Sequence, residues 1–183
     1  MNRSIITIAT IVCGMLSGCA YNVSPYGLSS NNIEKIKALQ VKPVSVAKFE
    51  STKPGLNSIT CRAAGPVTVI GSFESYIEKA FIDELKIAGI YDASSPISIK
   101  GKLDEVDFNS NIGAGKWLLS LSLSSQSSPA YTVNTSYEFS TNFVADKACQ
   151  QVAQNFGQAV QKLIGDAVSD PRFKGLINWV QLA

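Results

Sequence analysis

The chain has 183 residues, 45% of them hydrophobic, with 16 basic and 14 acidic side chains and no histidine. That length carries one ordinary domain with its own core and is short for two, and charge this evenly balanced excludes the basic stripe of a nucleic-acid or anionic-lipid binder. The lack of histidine removes the commonest metal ligand and the commonest general base at neutral pH, which weighs against most hydrolases.

Arg3 precedes an apolar run over residues 5–16. This is about the dozen residues of a signal-peptide core, well short of the roughly 20 that a membrane-spanning helix needs. The run closes on Leu16-Ser17-Gly18-Cys19, with a cysteine where a small-residue cleavage site is otherwise expected. These four residues resemble the lipobox of bacterial lipoproteins. The resemblance implies that residues 1–18 are removed as a signal peptide and that Cys19 becomes the first mature residue, acylated on its sulfur and on its new amino group. Each buried methylene contributes about 0.8 kcal/mol, so two or more acyl chains give stable anchoring. The competing reading is a signal cut elsewhere with an incidental cysteine. Ala20, not aspartate, follows Cys19; in diderm bacteria the same resemblance then implies the outer membrane, with the domain facing the periplasm.

Residues 20–32 are rich in Ser, Asn, Pro and Gly without an apolar period, the composition of a tether. The expected organisation is a signal peptide over 1–18, the lipidated cysteine and tether over 19–42, and a single periplasmic domain over 43–183. Ile33, Ile36 and Leu39 stand at helical spacing and predict a short amphipathic piece. Residues 43–49 alternate apolar and polar, as a half-buried first strand does. Residues 50–66 read as a loop, with Lys53-Pro54-Gly55 as a turn, and Val67, Val69 and Ile70 as a short strand. Phe73, Ile77, Phe81, Leu85 and Ala88 form one apolar stripe of a helix, with Glu74, Glu78, Lys79, Asp83, Glu84 and Lys86 largely off it. Ser72 is placed to cap its start and Gly89 to end it.

Three alternating segments follow. Ile97, Ile99 and Leu103 share one face, whereas Val106 and Phe108 have the other parity, so the first strand must bulge near Asp104-Glu105. Trp117, Leu119, Leu121 and Leu123 alternate with serines in the second. Tyr131, Val133, Tyr137 and Phe139 alternate with polar residues in the third. Turns at 111–115 and 125–129 make this an antiparallel meander. A long helix over 146–168 carries Val152, Phe156, Val160, Leu163 and Ala167 along one face and Cys149 in its first turn, and an apolar tail with Trp179 ends the chain. The order of strand, helix, three-stranded meander and helix predicts an α+β domain whose mainly antiparallel sheet carries both helices on one face.

Of the four cysteines, Cys13 leaves with the signal and Cys19 is acylated, so Cys61 and Cys149 remain as a pair in an oxidising compartment, where a disulfide is expected. Two inert buried thiols, or half of a metal site, are the alternatives; no metal and no cofactor is expected.

The helix ending Leu85-Lys86-Ile87-Ala88-Gly89-Ile90-Tyr91, the meander over 97–143 and the last helix closing on Val168-Ser169-Asp170-Pro171 together resemble YajG-like outer-membrane lipoproteins. Cys61 and Cys149 lie outside that pattern. The resemblance carries no catalytic residues.

Asp104, Glu105 and Asp107 form the one carboxylate cluster, but alternation sends Asp104 and Glu105 to opposite faces unless the bulge realigns them, and the glycine-bearing loop of a calcium site is missing. Asn111-Ile112-Gly113-Ala114-Gly115 opens no helix and reads as a hairpin turn, not a phosphate loop. A Ser/Lys dyad stays open. More telling is the charge starvation of residues 117–145, where Glu138 is the one charged side chain. A polar face of Ser120, Ser122, Ser124, Thr132, Asn134 and Ser136 repels nothing. Either the chain's own elements cover it, which is the favoured expectation, or it accepts a partner, an envelope protein or a second copy. The leading expectation is a non-enzymatic, periplasm-facing accessory subunit of a secretion, efflux or cell-wall assembly. The alternatives are a carrier of an apolar ligand, held in a cavity lined by Phe81, Phe156 and Trp117, and an enzyme using carboxylates or a Ser/Lys pair.

Overall fold

The computed structural model describes residues 20–126 and 128–177. The signal peptide over 1–18, the lipidation expected at Cys19 and the packing of Trp179 lie outside the described residues.

The architecture is α+β, with the helices packed against sheet. The expected meander is present as β6 (Ser98–Asn109), β7 (Gly115–Ser125) and β8 (Ser128–Phe139), antiparallel throughout. The register of β6 on β7 shifts between Leu103 and Glu105, so the bulge falls at Asp104. This one extra residue returns Val106 and Phe108 to the face that already holds Ile99 and Leu103, opposite Leu119 and Trp117.

The helix α2 (Phe73–Ala88) forms because its four-residue apolar repeat buries Phe73, Ile77, Phe81 and Leu85 completely. Ser72 and Ser75 cap its start reciprocally, and Gly89, at φ 80°, takes the left-handed position that ends it. The helix α3 (Ala145–Ser169) presents Val152, Phe156, Val160 and Leu163, all fully buried, and Asp170 closes it before α4 (Pro171–Ile177). Helices α2 and α3 meet the same sheet face at Trp117. Its indole N–H donates to the Val152 carbonyl at 3.0 Å, and its ring stands 4.7 Å from Phe156 and 6.2 Å from Phe73.

Four expectations need correction. The strand expected over 43–49 is two short pieces, β2 (Ser45–Val46) and β3 (Glu50–Ser51), and both pair in parallel with β6, so the sheet is mixed. Parallel pairing follows from the crossover: α2 lies between these strands and β6 and carries the chain back to the end where it started.

The loop expected over 50–66 holds a hairpin, β4 (Ser58–Cys61) and β5 (Gly65–Thr68), turned at Arg62 with φ 49°. Its strands are too short to show a period in sequence.

The tether expected over 19–42 is, across its described residues, part of the domain. The strand β1 (Tyr21–Asn22) pairs in parallel with β5, Val23 is buried, and α1 (Ser30–Ala38), capped by Ser29, packs Ile33 and Ile36 against α2 and α3. The polar residues that look tether-like in sequence are consumed here as caps and buried hydrogen bonds. Finally, Glu74 and Glu84, expected off the apolar stripe, are buried.

Cys61 and Cys149 are bridged, with Cα atoms 5.8 Å apart, tying the end of β4 to the first turn of α3. The bond closes a sequence separation of 88 residues, which loop-closure entropy values at about 4–5 kcal/mol. Replacing both cysteines by serine is expected to lower the free energy of urea unfolding by up to about that amount, and a reductant is expected to reproduce the loss in the unsubstituted chain. A second test concerns Gly101 on β6, where an added Cβ would lie 2.5 Å from the Phe49 ring. Gly101→Ala must displace a buried aromatic and is expected to cost about 1–3 kcal/mol in the same assay.

Candidate functional site

All six residues of the uncharged surface expected from sequence fall on one face of the sheet, opposite the helices. The pleat requires it, since Trp117, Leu119, Leu121 and Leu123 point inward and the serines between them must point out. Ser120 stands directly opposite Asn134 and Ser122 opposite Thr132, while Ser136 faces Leu118 and Ser124 faces Lys100 of β6. Thr132, Asn134 and Ser136 are exposed, Ser122 and Ser124 are half-buried and Ser120 is buried. The favoured expectation, that the chain's own elements cover this face, is corrected: the helices gather on the apolar side, where burial gains most, and among the described residues none crosses to the outer face.

Charge on that outer face gathers along β6 and at one end of the meander. Lys100, Lys102, Asp104, Glu105 and Asp107 follow β6 and Lys116 stands opposite Glu138, whereas between them β7 and β8 offer Leu118, hydroxyls and one amide out to the sheet edge, where among the described residues β7 alone pairs with β8. Ser122 marks the boundary. Its hydroxyl lies 2.5 Å from Asp104 Oδ2 and 2.7 Å from Thr132 Oγ1, and Lys102 Nζ sits 3.3 Å from Asp104 Oδ1. The bulge does realign the carboxylates, bringing Asp104 and Glu105 to the same side. They lie on the open face and not in a cleft, and among the described residues no group of acidic or cysteine side chains converges as metal ligands would.

The space assigned to an apolar ligand is filled. Phe81, Phe156 and Trp117 are fully buried. Phe81 packs 6.1 Å from Phe49 and 6.2 Å from Phe173, and Phe156 5.3 Å from Phe73.

Sequence reading missed one polar cluster. Glu84 is fully buried, and its Oε1 accepts from the Tyr26 hydroxyl at 2.5 Å, the Ser29 N–H at 3.2 Å and the Asn32 amide at 3.3 Å. Asn32 also donates to the Gln161 carbonyl at 2.8 Å, and it approaches Gly165 so closely that a Cβ there would lie 2.6 Å from its Oδ1. One carboxylate thus fastens the N-terminal segment to α2, and Asn32 extends the fastening to α3. Burial pushes the Glu84 carboxyl above the ordinary glutamate value, with the three hydrogen bonds pulling the other way. The Tyr26 phenol is pushed up in turn, by burial first and then by Glu84. A helix residue on the polar side of an amphipathic stripe gives no sign of this. The available hint was the Tyr26 to Asn32 stretch, whose polar groups had to bond to something once folded.

A carboxyl that binds its proton more tightly when folded lowers stability as pH rises from its unfolded value towards its folded one. Stability to urea unfolding is therefore expected to fall as pH rises above the ordinary glutamate value of 4.5, a downward contribution that Glu84→Gln removes. The difference between the two chains isolates this group from every other carboxyl. Identical pH profiles would mean that folding does not raise the Glu84 carboxyl above its unfolded value.

Compared by sequence, the chain matches no protein-family model and no curated protein. Compared by structure, it is similar to protein XCC0632 from Xanthomonas campestris, a crystal structure carrying the family model DUF330, with a TM-score of 0.56 and 13% identity over 86% of this chain and 96% of that one. A crystal structure of an uncharacterised protein aligns with a TM-score of 0.44 and 10% identity over 79% of this chain and 97% of that one. At 13% identity, the likeness to the Xanthomonas protein is one of fold.

Proposed function

We propose that this chain is a non-enzymatic outer-membrane lipoprotein, anchored through acylated Cys19 and facing the periplasm, that serves as an accessory subunit of a cell-envelope assembly. It engages its partner through the uncharged stretch of β7 and β8 on the outer sheet face. The observation that carries the reading is the open surface of Ser122, Ser124, Thr132, Asn134 and Ser136, which runs without a charge to the edge strand β8. Exposed edges are normally protected by lysine, proline or a covering element; β8 has Pro129 at its start and one charge, Glu138, at its far end, and residues 130–137 between them carry neither. Such a surface desolvates cheaply and offers hydrogen-bonding groups to a strand or a flat polar face. The Leu16-Ser17-Gly18-Cys19 lipobox supports the anchor. Among the described residues no helix is long and apolar enough to cross a membrane.

The test is crosslinking and pull-down from intact envelopes with three chains: wild type, Cys19→Ser, and the pair Ser122→Lys with Asn134→Lys. Mass spectrometry of the wild type is expected to find acyl chains on the mature amino terminus, and Cys19→Ser to move the protein to the aqueous fraction. The double-lysine chain is expected to remain folded and anchored while losing its crosslinked partner. An unacylated mature chain overturns the anchor, and a folded double-lysine chain with every partner retained overturns the docking surface.

A further inference from the structure

Three exposed apolar side chains stand on adjoining turns at one end of the domain. Ile112 tips the turn between β6 and β7, and Phe143 and Val144 immediately precede α3. They are 67%, 78% and 49% exposed. Single exposed apolar residues are ordinary, but a cluster of them on adjoining tips marks a contact surface. The base beneath these tips is braced. The Arg62 guanidinium, from the turn of the β4–β5 hairpin, donates to the carbonyls of Ser110, Asn142 and Phe143, the Thr141 hydroxyl donates to the Asn111 carbonyl, and the Cys61–Cys149 bridge lies alongside. The tips are held out from a fixed platform.

An independent observation says what covers them. The N-terminal end of the described chain lies at the same end of the domain. Tyr21 pairs with Val67, the third residue after the hairpin turn, and its hydroxyl donates to Asp146 in the first turn of α3 at 2.7 Å. Ala20 lines a surface cleft together with Asp146 and Gln150. Cys19 is one peptide unit further, about 3.8 Å between Cα atoms. Acyl chains on that sulfur would therefore enter the bilayer next to Phe143, Val144 and Ile112, with no tether between membrane and domain.

We propose that this end of the domain docks directly on the lipid leaflet, with Ile112, Phe143 and Val144 reaching the headgroup and acyl boundary beside the anchor. The proposal rests on the lipid-anchored reading above and adds an orientation to it. The contact is apolar and not electrostatic. The Arg62 donors are occupied by carbonyls and the Ser110 hydroxyl, and at the start of α3 the exposed Lys147 is balanced by the exposed Asp146, so among the described residues the end presents no run of cations to anionic lipid.

The test uses the full chain recovered in its lipidated form and reconstituted in phosphatidylcholine vesicles, with or without brominated acyl chains. The reporters are Phe143→Trp and Ile112→Trp at the proposed contact, and Ile87→Trp at the opposite end, where Ile87 is exposed near the end of α2. The unsubstituted chain supplies the background of Trp117 and Trp179. Emission added by the indoles at 143 and 112 is expected to fall by about half in brominated vesicles, since interfacial side chains lie within the quenching depth, and emission added at 87 is expected to stay unchanged. An acylated, vesicle-bound chain whose indoles at 143 and 112 are not quenched, or are quenched no more than the one at 87, overturns the docking while the anchor stands. An unacylated chain that stays in the aqueous fraction overturns the anchor and the docking with it.

Discussion

A three-stranded meander with one apolar and one polar face cannot stand alone in water. The structure follows from the burial of that apolar face. Trp117 is at the centre, with Phe73, Phe108 and Phe156 packed around it and its one polar atom satisfied by the Val152 carbonyl. Rings of this size remove about 150–250 Å² each from water, a gross gain of about 4–6 kcal/mol apiece at 25 cal/mol per Å². The disulfide, at about 4–5 kcal/mol, is therefore worth about one buried ring. It reinforces a core that aromatic packing already defines, and its position at the start of α3 fixes the end of the molecule where the platform of turns is built.

The polar exception to that core serves the N-terminal segment. Residues 21–38 contribute few large apolar groups, and burial of Val23, Ile33 and Ile36 alone gives them a modest hold. Glu84 adds direction, because hydrogen bonds from Tyr26, Ser29 and Asn32 converge on a single oxygen. Its second oxygen, buried and without a partner among the described residues, fits the dominance of burial in the carboxyl's upward shift.

The two proposed surfaces are geometrically compatible. The apolar tips lie at the end of the strands, and the uncharged face lies along their length. A domain seated on the leaflet by Ile112, Phe143 and Val144 would hold β7 and β8 upright, their Ser, Thr and Asn face turned sideways into the periplasm. A partner in the same membrane would meet that face edge-on, without a long linker on either side.

Patterns with a period were legible in the sequence. The four-residue stripe of α2, the alternation of β6 to β8, the parity change that forces a bulge at Asp104 and the Cys61–Cys149 pair all record local periodicity or simple pairing, and the structure has each of them. The six residues of the candidate surface were legible for the same reason, because alternation fixes which side chains share a face. What sequence could not supply was what lies across from each face. Whether the outer sheet was covered depended on where α1, α2 and α3 settled. The membership of residues 20–42 in the domain depended on Glu84 and Asn32 finding partners 52 positions or more away in the chain. The hairpin over 58–68 was hidden because four-residue strands are too short for a period to emerge. The gathering of Ile112, Phe143 and Val144 beside the exit towards Cys19 exists only once separate turns are folded against one another. Local periodicity is written in neighbouring residues, whereas burial and convergence are set by contacts between distant ones, and only the tertiary structure decides those.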